Sequence, residues 1–92
     1  MGDPPRQLDG ADVLRWVVST SGGFYELAGT HPPVMVSAMA ICRYPGQEGC
    51  YLFKCTREWQ VVQDWDCESE AEALKMALEQ AGGQALDWQC PA

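Results

Sequence analysis

Ser69-Glu70-Ala71-Glu72 constrains the fold of this chain more than any other stretch of it. The Ser69 hydroxyl can accept from the Glu72 amide while the Glu72 carboxylate returns to the Ser69 amide, a reciprocal arrangement that starts a helix. Ala73, Leu74, Ala77, Leu78 and Ala81 then recur at helical spacing, and Gly82-Gly83 supplies a left-handed exit. The pattern predicts a helix over 69–81 whose small alanines let it lie close against a sheet.

Upstream of that helix the hydrophobic period changes. Residues 24–27, 34–44, 50–56 and 59–66 are rich in β-branched and aromatic side chains and read as four strands. The connections Gly29-Thr30-His31-Pro32-Pro33, Pro45-Gly46-Gln47-Glu48-Gly49 and Arg57-Glu58 are short enough to join antiparallel neighbours, which makes a meander. Strict alternation puts Trp59, Val61 and Trp65 on one face of the last strand and Val62, Asp64 and Asp66 on the other. In the second strand Val34, Val36, Ala38, Ala40 and Cys42 alternate with Met35, Ser37, Met39 and Ile41, so both faces are apolar and the strand is central or covered on both sides.

Residues 9–18 place Val13, Leu14, Trp16, Val17 and Val18 on one helical face with Asp9 as a cap, and the expectation is a short N-terminal helix. The competing strand reading rests on the β-branched Val17, Val18 and Thr20. Residues 1–8, with adjacent prolines and a single large apolar side chain after Met1, read as a flexible tail. The expected fold class is therefore α+β: a four-stranded antiparallel meander packed against a C-terminal helix, with a short N-terminal helix, in one domain over 9–92.

At 92 residues the chain can bury only one core, and its 47% hydrophobic content with four tryptophans suffices for that core without disulfides or a structural metal. Thirteen acidic against six basic side chains give a net charge of −7, which repels phosphate backbones and argues against nucleic acid; it would speed association with a basic protein partner or a cationic small molecule, although most acidic domains are simply soluble. The longest apolar stretch, 34–42, is far short of the roughly 20 residues needed to span a bilayer, so no membrane role is expected. Residues 1–6 lack the basic start and apolar core of a secretion signal, and a cytoplasmic location is the resulting expectation. Cys42, Cys50, Cys55, Cys67 and Cys90 are odd in number and show no C-x-x-C spacing; they read as reduced, mostly buried small hydrophobes.

Little in the sequence carries chemistry. His31 is the only histidine and sits in a Thr-His-Pro-Pro turn, where an exposed loop residue is the natural reading. With a cysteine such as Cys55 it would make a nucleophile and base at a pocket between sheet and helix, although neither residue lies in a family-specific signature. Asp64, Asp66, Glu68, Glu70 and Glu72 do not follow the order of a calcium loop, and the glutamates favourably oppose a helix dipole. No catalytic, cofactor-binding or metal-binding residue is assigned. Four indoles exceed what so short a chain buries completely, and Trp16 and Trp88, which lie outside the meander, are the candidate interface of a homodimer.

Gly49-Cys50-Tyr51-Leu52-Phe53-Lys54-Cys55, Trp59, Asp64-Trp65, Ser69 with Glu72-Ala73, Ala77 and Trp88 together resemble a pattern of small uncharacterised bacterial proteins that include products of mobile gene cassettes. The resemblance spans residues 49–88 and implies a two-strand, one-helix ending; it carries no catalytic residue onto this chain. Three functional readings follow: a noncatalytic binding or interaction module, an acidic immunity-like inhibitor of a basic partner, and a small-ligand-binding protein or enzyme with a sheet-helix pocket.

Overall fold

In the computed structural model, which describes residues 2–91, the chain forms β1 (Gln7–Leu8), β2 (Ala11–Val18), β3 (Tyr25–Leu27), β4 (Val34–Val36), β5 (Ala38–Arg43), β6 (Cys50–Cys55), β7 (Val61–Cys67) and α1 (Glu70–Gln80). Five strands make a curled antiparallel sheet in the order β1-β2-β5-β6-β7, while β3 and β4 form a separate two-stranded ribbon. The described residues thus hold seven strands in two sheets, which corrects the expected four-stranded meander with an N-terminal helix.

The correction at 9–18 has a physical cause. β2 pairs with β5 from Asp12↔Arg43 to Val18↔Ala38, with an irregularity between Val13 and Arg15 that leaves Leu14 without a partner. Such a bulge turns two successive side chains toward one face. Val13, Trp16 and Val18 consequently join one core while Leu14 and Val17 join the other. That broken alternation imitates helical spacing in the sequence. Pairing with a strand some 25 residues away outweighs the weak local preference.

The segment expected as a tail contains β1, which folds back on β2 through Asp9 (φ 49°) and Gly10 (φ 83°). Two successive left-handed residues make the tight hairpin turn that Asp-Gly favours. The stretch 34–44 is also not one strand. It breaks at Ser37, whose amide donates to the Cys55 carbonyl at 2.9 Å and whose carbonyl accepts from Ser19, so the chain leaves the ribbon and enters the large sheet.

Both faces of the sheet are covered. On the first, Val17, Met39, Ile41 and Leu52 pack beneath Ala73, Ala77 and Ala81 of α1 and beneath Phe24 and Val36 of the ribbon segment. On the second, Ala38, Ala40, Cys42, Phe53 and Cys55 pack with Leu8, Ala11, Val13 and Trp59. The expectation of two apolar faces on β5 matches this arrangement. Trp59 reaches the second core from a left-handed backbone (φ 63°), and its indole N–H donates to the Gly2 carbonyl at 2.8 Å, drawing the N-terminal segment over that face.

The helix starts where the sequence places it. The Glu72 amide donates to Ser69 Oγ at 3.1 Å, and the Glu72 carboxylate accepts from the Glu68 amide at 3.4 Å in place of the Ser69 amide. Ala73, Ala77 and Ala81 are fully buried at four-residue spacing, whereas Leu78 is 63% exposed, so the inner stripe is narrower than the predicted one. Arg15 of β2 pairs with Glu70 and ties the first turn to the sheet.

Candidate binding edge and the lysine behind it

An antiparallel sheet that does not close leaves backbone donors and acceptors along its outer strands. One edge of this sheet is covered. β1 pairs with the start of β2, and farther along Trp16 and Gln89 exchange both backbone hydrogen bonds at 2.9 and 2.8 Å. The other edge is β7, whose seven residues have β6 as their only strand neighbour among the described residues.

The faces of β7 are set by a second bulge. Cys55 pairs with Val61 and Lys54 with Gln63, which leaves Val62 as the extra residue. Val61 therefore packs against the second core, while Val62 and Trp65 pack against the first. The predicted shared face of Trp59, Val61 and Trp65 is corrected accordingly: strict alternation fails wherever a bulge adds a residue. Beyond the bulge alternation resumes, and Asp64 and Asp66, opposite Phe53 and Tyr51, are both exposed two residues apart.

On the opposite side of β7 lies Lys54, which is 0% exposed. Its Nζ donates to Gln63 Oε1 at 3.1 Å and stands over the Trp65 ring, 2.8 Å from the centroid. The Tyr25 hydroxyl donates to the same Gln63 oxygen at 3.1 Å, and the Tyr25 ring lies 5.8 Å from the amine. Among the described residues no carboxylate pairs with Lys54. Burial pulls its pKa from 10.5 down to about 8, with the Cys67 thiol a smaller opposing influence. The signal for this burial is the alternation Cys50, Leu52, Lys54 on the helix-facing side of a strand that is otherwise apolar there.

The residues singled out from the sequence fall in three surroundings: an exposed loop, the second core and the first core. His31 is exposed in the loop between β3 and β4. Cys55 is fully buried in the second core, where desolvation pushes its thiol up to about 12, and no hydrogen bond joins it to His31. Trp16 is half-buried, with its ring edge-to-face on Trp59 at 5.8 Å and 86°. Trp88 is half-buried against the first core. A small cleft of about 180 Å³ lies among Asp3, Arg6, Trp16 and Pro91, and a wider depression of about 450 Å³ among Met35, Ser37, Thr56 and Arg57. Neither concavity reaches Lys54, His31 or Cys55. No cluster of three or more metal-ligating side chains occurs among the described residues, and no helix there is long and apolar enough to cross a membrane.

The chain matches no protein-family model, no curated protein and no solved structure.

Proposed function

We propose that this protein is a noncatalytic binding module that takes up an extended, basic segment of a partner protein along β7. The observation that carries this reading is the coincidence of the unpaired sheet edge with Asp64 and Asp66 on a single face of it. An added strand satisfies the outward backbone groups of an edge, and alternate side chains supply the selectivity. Lysine or arginine at every second position of the incoming strand would stand beside Asp64 and Asp66, each such cross-strand pair contributing about 0.2–1 kcal/mol. The net charge of −7 would speed the encounter.

The same carboxylates oppose pairing with a second copy. A twofold β7–β7 contact centred near Trp65 would bring four carboxylates together, and like charges across a ladder are destabilising. A homodimer would have to use another surface, and Trp16 and Trp88 each give part of their area to the fold of their own chain.

The test is fluorescence anisotropy with a labelled peptide that alternates lysine with valine or threonine. Binding is expected in the micromolar range, weakening as salt is raised and weakening further in the Asp64→Asn, Asp66→Asn double variant. A peptide that does not bind, or that binds the variant equally well, removes the reading. Light scattering addresses the rival association: a dimeric mass that Trp16→Ala or Trp88→Ala reduces to the monomer would replace it with the homodimer.

A further inference from the structure

Cys50 and Cys67 are direct partners across β6 and β7, the first residue of one strand facing the last residue of the other. Directly opposed residues of an antiparallel pair hold their Cβ atoms about 4.5–5.5 Å apart on one face, and a disulfide needs about 3.5–4.5 Å. A shift of about 1 Å at the strand ends closes that difference. Both side chains face α1 and are buried, at 0% and 2% exposure. The remaining cysteines are placed differently: Cys42 and Cys55 lie in the second core, where Cys42 opposes Tyr51 and Cys55 opposes Ala38, and Cys90 is exposed beyond the sheet.

The two sulfurs have distinct surroundings. Half-buried Arg43 donates from Nη2 to Cys50 Sγ at 3.4 Å, so a cation adjoins that sulfur. Cys67 Sγ meets Met76 Sδ at 3.5 Å beneath the helix. We propose that Cys50 and Cys67 form a redox-modification site that hydrogen peroxide converts to a cross-strand disulfide. The Cys50 thiolate attacks one peroxide oxygen, the O–O bond breaks, and the departing hydroxide takes a proton to become water, leaving Cys50 as a sulfenic acid. The Cys67 sulfur then attacks the Cys50 sulfur, the S–O bond breaks, and the departing hydroxide takes the Cys67 thiol proton to leave as water. Two thiols are oxidised to one disulfide while one peroxide is reduced to two waters. Because Ser69 follows two residues after Cys67, the bridge would anchor the chain just ahead of the α1 cap.

The experiment treats the reduced protein with an equivalent of hydrogen peroxide and compares thiol count, intact mass and a non-reducing peptide map with and without dithiothreitol. The expected result is the loss of two of the five thiols, a mass lower by about 2 Da, a peptide joining Cys50 to Cys67, and full reversal by reductant. The oxidised form should melt about 15 °C higher, because the bridge closes the loop from Cys50 to Cys67 in the unfolded chain. In Cys67→Ala the sulfenic acid should persist on Cys50 and react with dimedone, and Cys42→Ala should still form the bridge. Retention of all five thiols, oxidation confined to Cys90, or a bridge between any other pair overturns the proposal. The map of the wild-type protein decides the matter even if Cys67→Ala does not fold.

Discussion

The Lys54 ammonium lies over the Trp65 indole, 2.8 Å from its centroid, and shares Gln63 Oε1 with the Tyr25 hydroxyl instead of meeting a carboxylate. The ring face and one amide oxygen replace only part of the lost hydration, so folding disfavours the charged amine. With a folded pKa of about 8 against 10.5 for the exposed side chain, the full penalty acts below pH 8 and disappears as pH rises to 10.5. Its size is on the order of 3 kcal/mol. Lys54→Met should therefore stabilise the protein at pH 7 and lose this advantage near pH 10.5, as urea melts of both proteins across that range would measure. A variant less stable than wild type at pH 7 would mean that the amine contributes more through Trp65 and Gln63 than burial costs.

The buried thiols act in the opposite direction. Desolvation, with smaller contributions from neighbouring acidic groups, raises Cys42 and Cys55 from 9.0 to about 12 and also raises Cys67. Below pH 9 these thiols are neutral in both states and stability is unaffected; above pH 9 the unfolded chain loses protons that the folded chain keeps, and stability falls. Wild-type stability should thus decline between pH 9 and 12, most steeply above pH 10.5, where relief of the Lys54 penalty no longer offsets the thiols. Cys55→Ala should flatten the decline while costing about 1 kcal/mol at pH 7 through the cavity it leaves. An unchanged alkaline slope in that variant would place the pH sensitivity elsewhere.

Ser69 satisfies one otherwise orphaned amide of α1, that of Glu72. Ser69→Ala should cost about 1 kcal/mol, seen as a lower denaturant midpoint with an unchanged slope. Glu72→Gln should cost less, since the longer 3.4 Å bond to Glu68 is accepted equally by an amide oxygen. Equal midpoints for Ser69→Ala and wild type would show that water replaces the hydroxyl without loss.

The indole N–H of Trp59 holds the N-terminal segment at Gly2. Trp59→Phe removes that donor while keeping an aromatic ring in the second core, and should cost about 1 kcal/mol. The sharper readout is limited trypsin digestion, in which cleavage after exposed Arg6 should speed up more than cleavage after Arg57. Equal acceleration at both sites would point to global destabilisation.

The sequence by itself determined what rests on short-range bonds. Ser69 and Glu72 are three residues apart and meet in any helix that starts there, so α1 is legible, and the short connections before β6 and β7 join strands that pair with their sequence neighbours. Asp9-Gly10 is an equally local hairpin signal for β1, although Asp9 also suits a helix cap. Tertiary structure alone decided the remainder. Leu14 and Val62 are bulge residues only because β5 and β6 lie opposite them, and each bulge shifts the facing of every side chain beyond it. Trp65 thereby became the neighbour of Lys54 instead of Val61 and Trp59. The open edge has the same origin: β2 pairs with the free side of β5, which places β7 at the margin with Asp64 and Asp66. Strand pairing joins residues that are remote in the chain, and its register is selected by which apolar sets can be buried together on both faces of the sheet, a choice that no window of sequence contains.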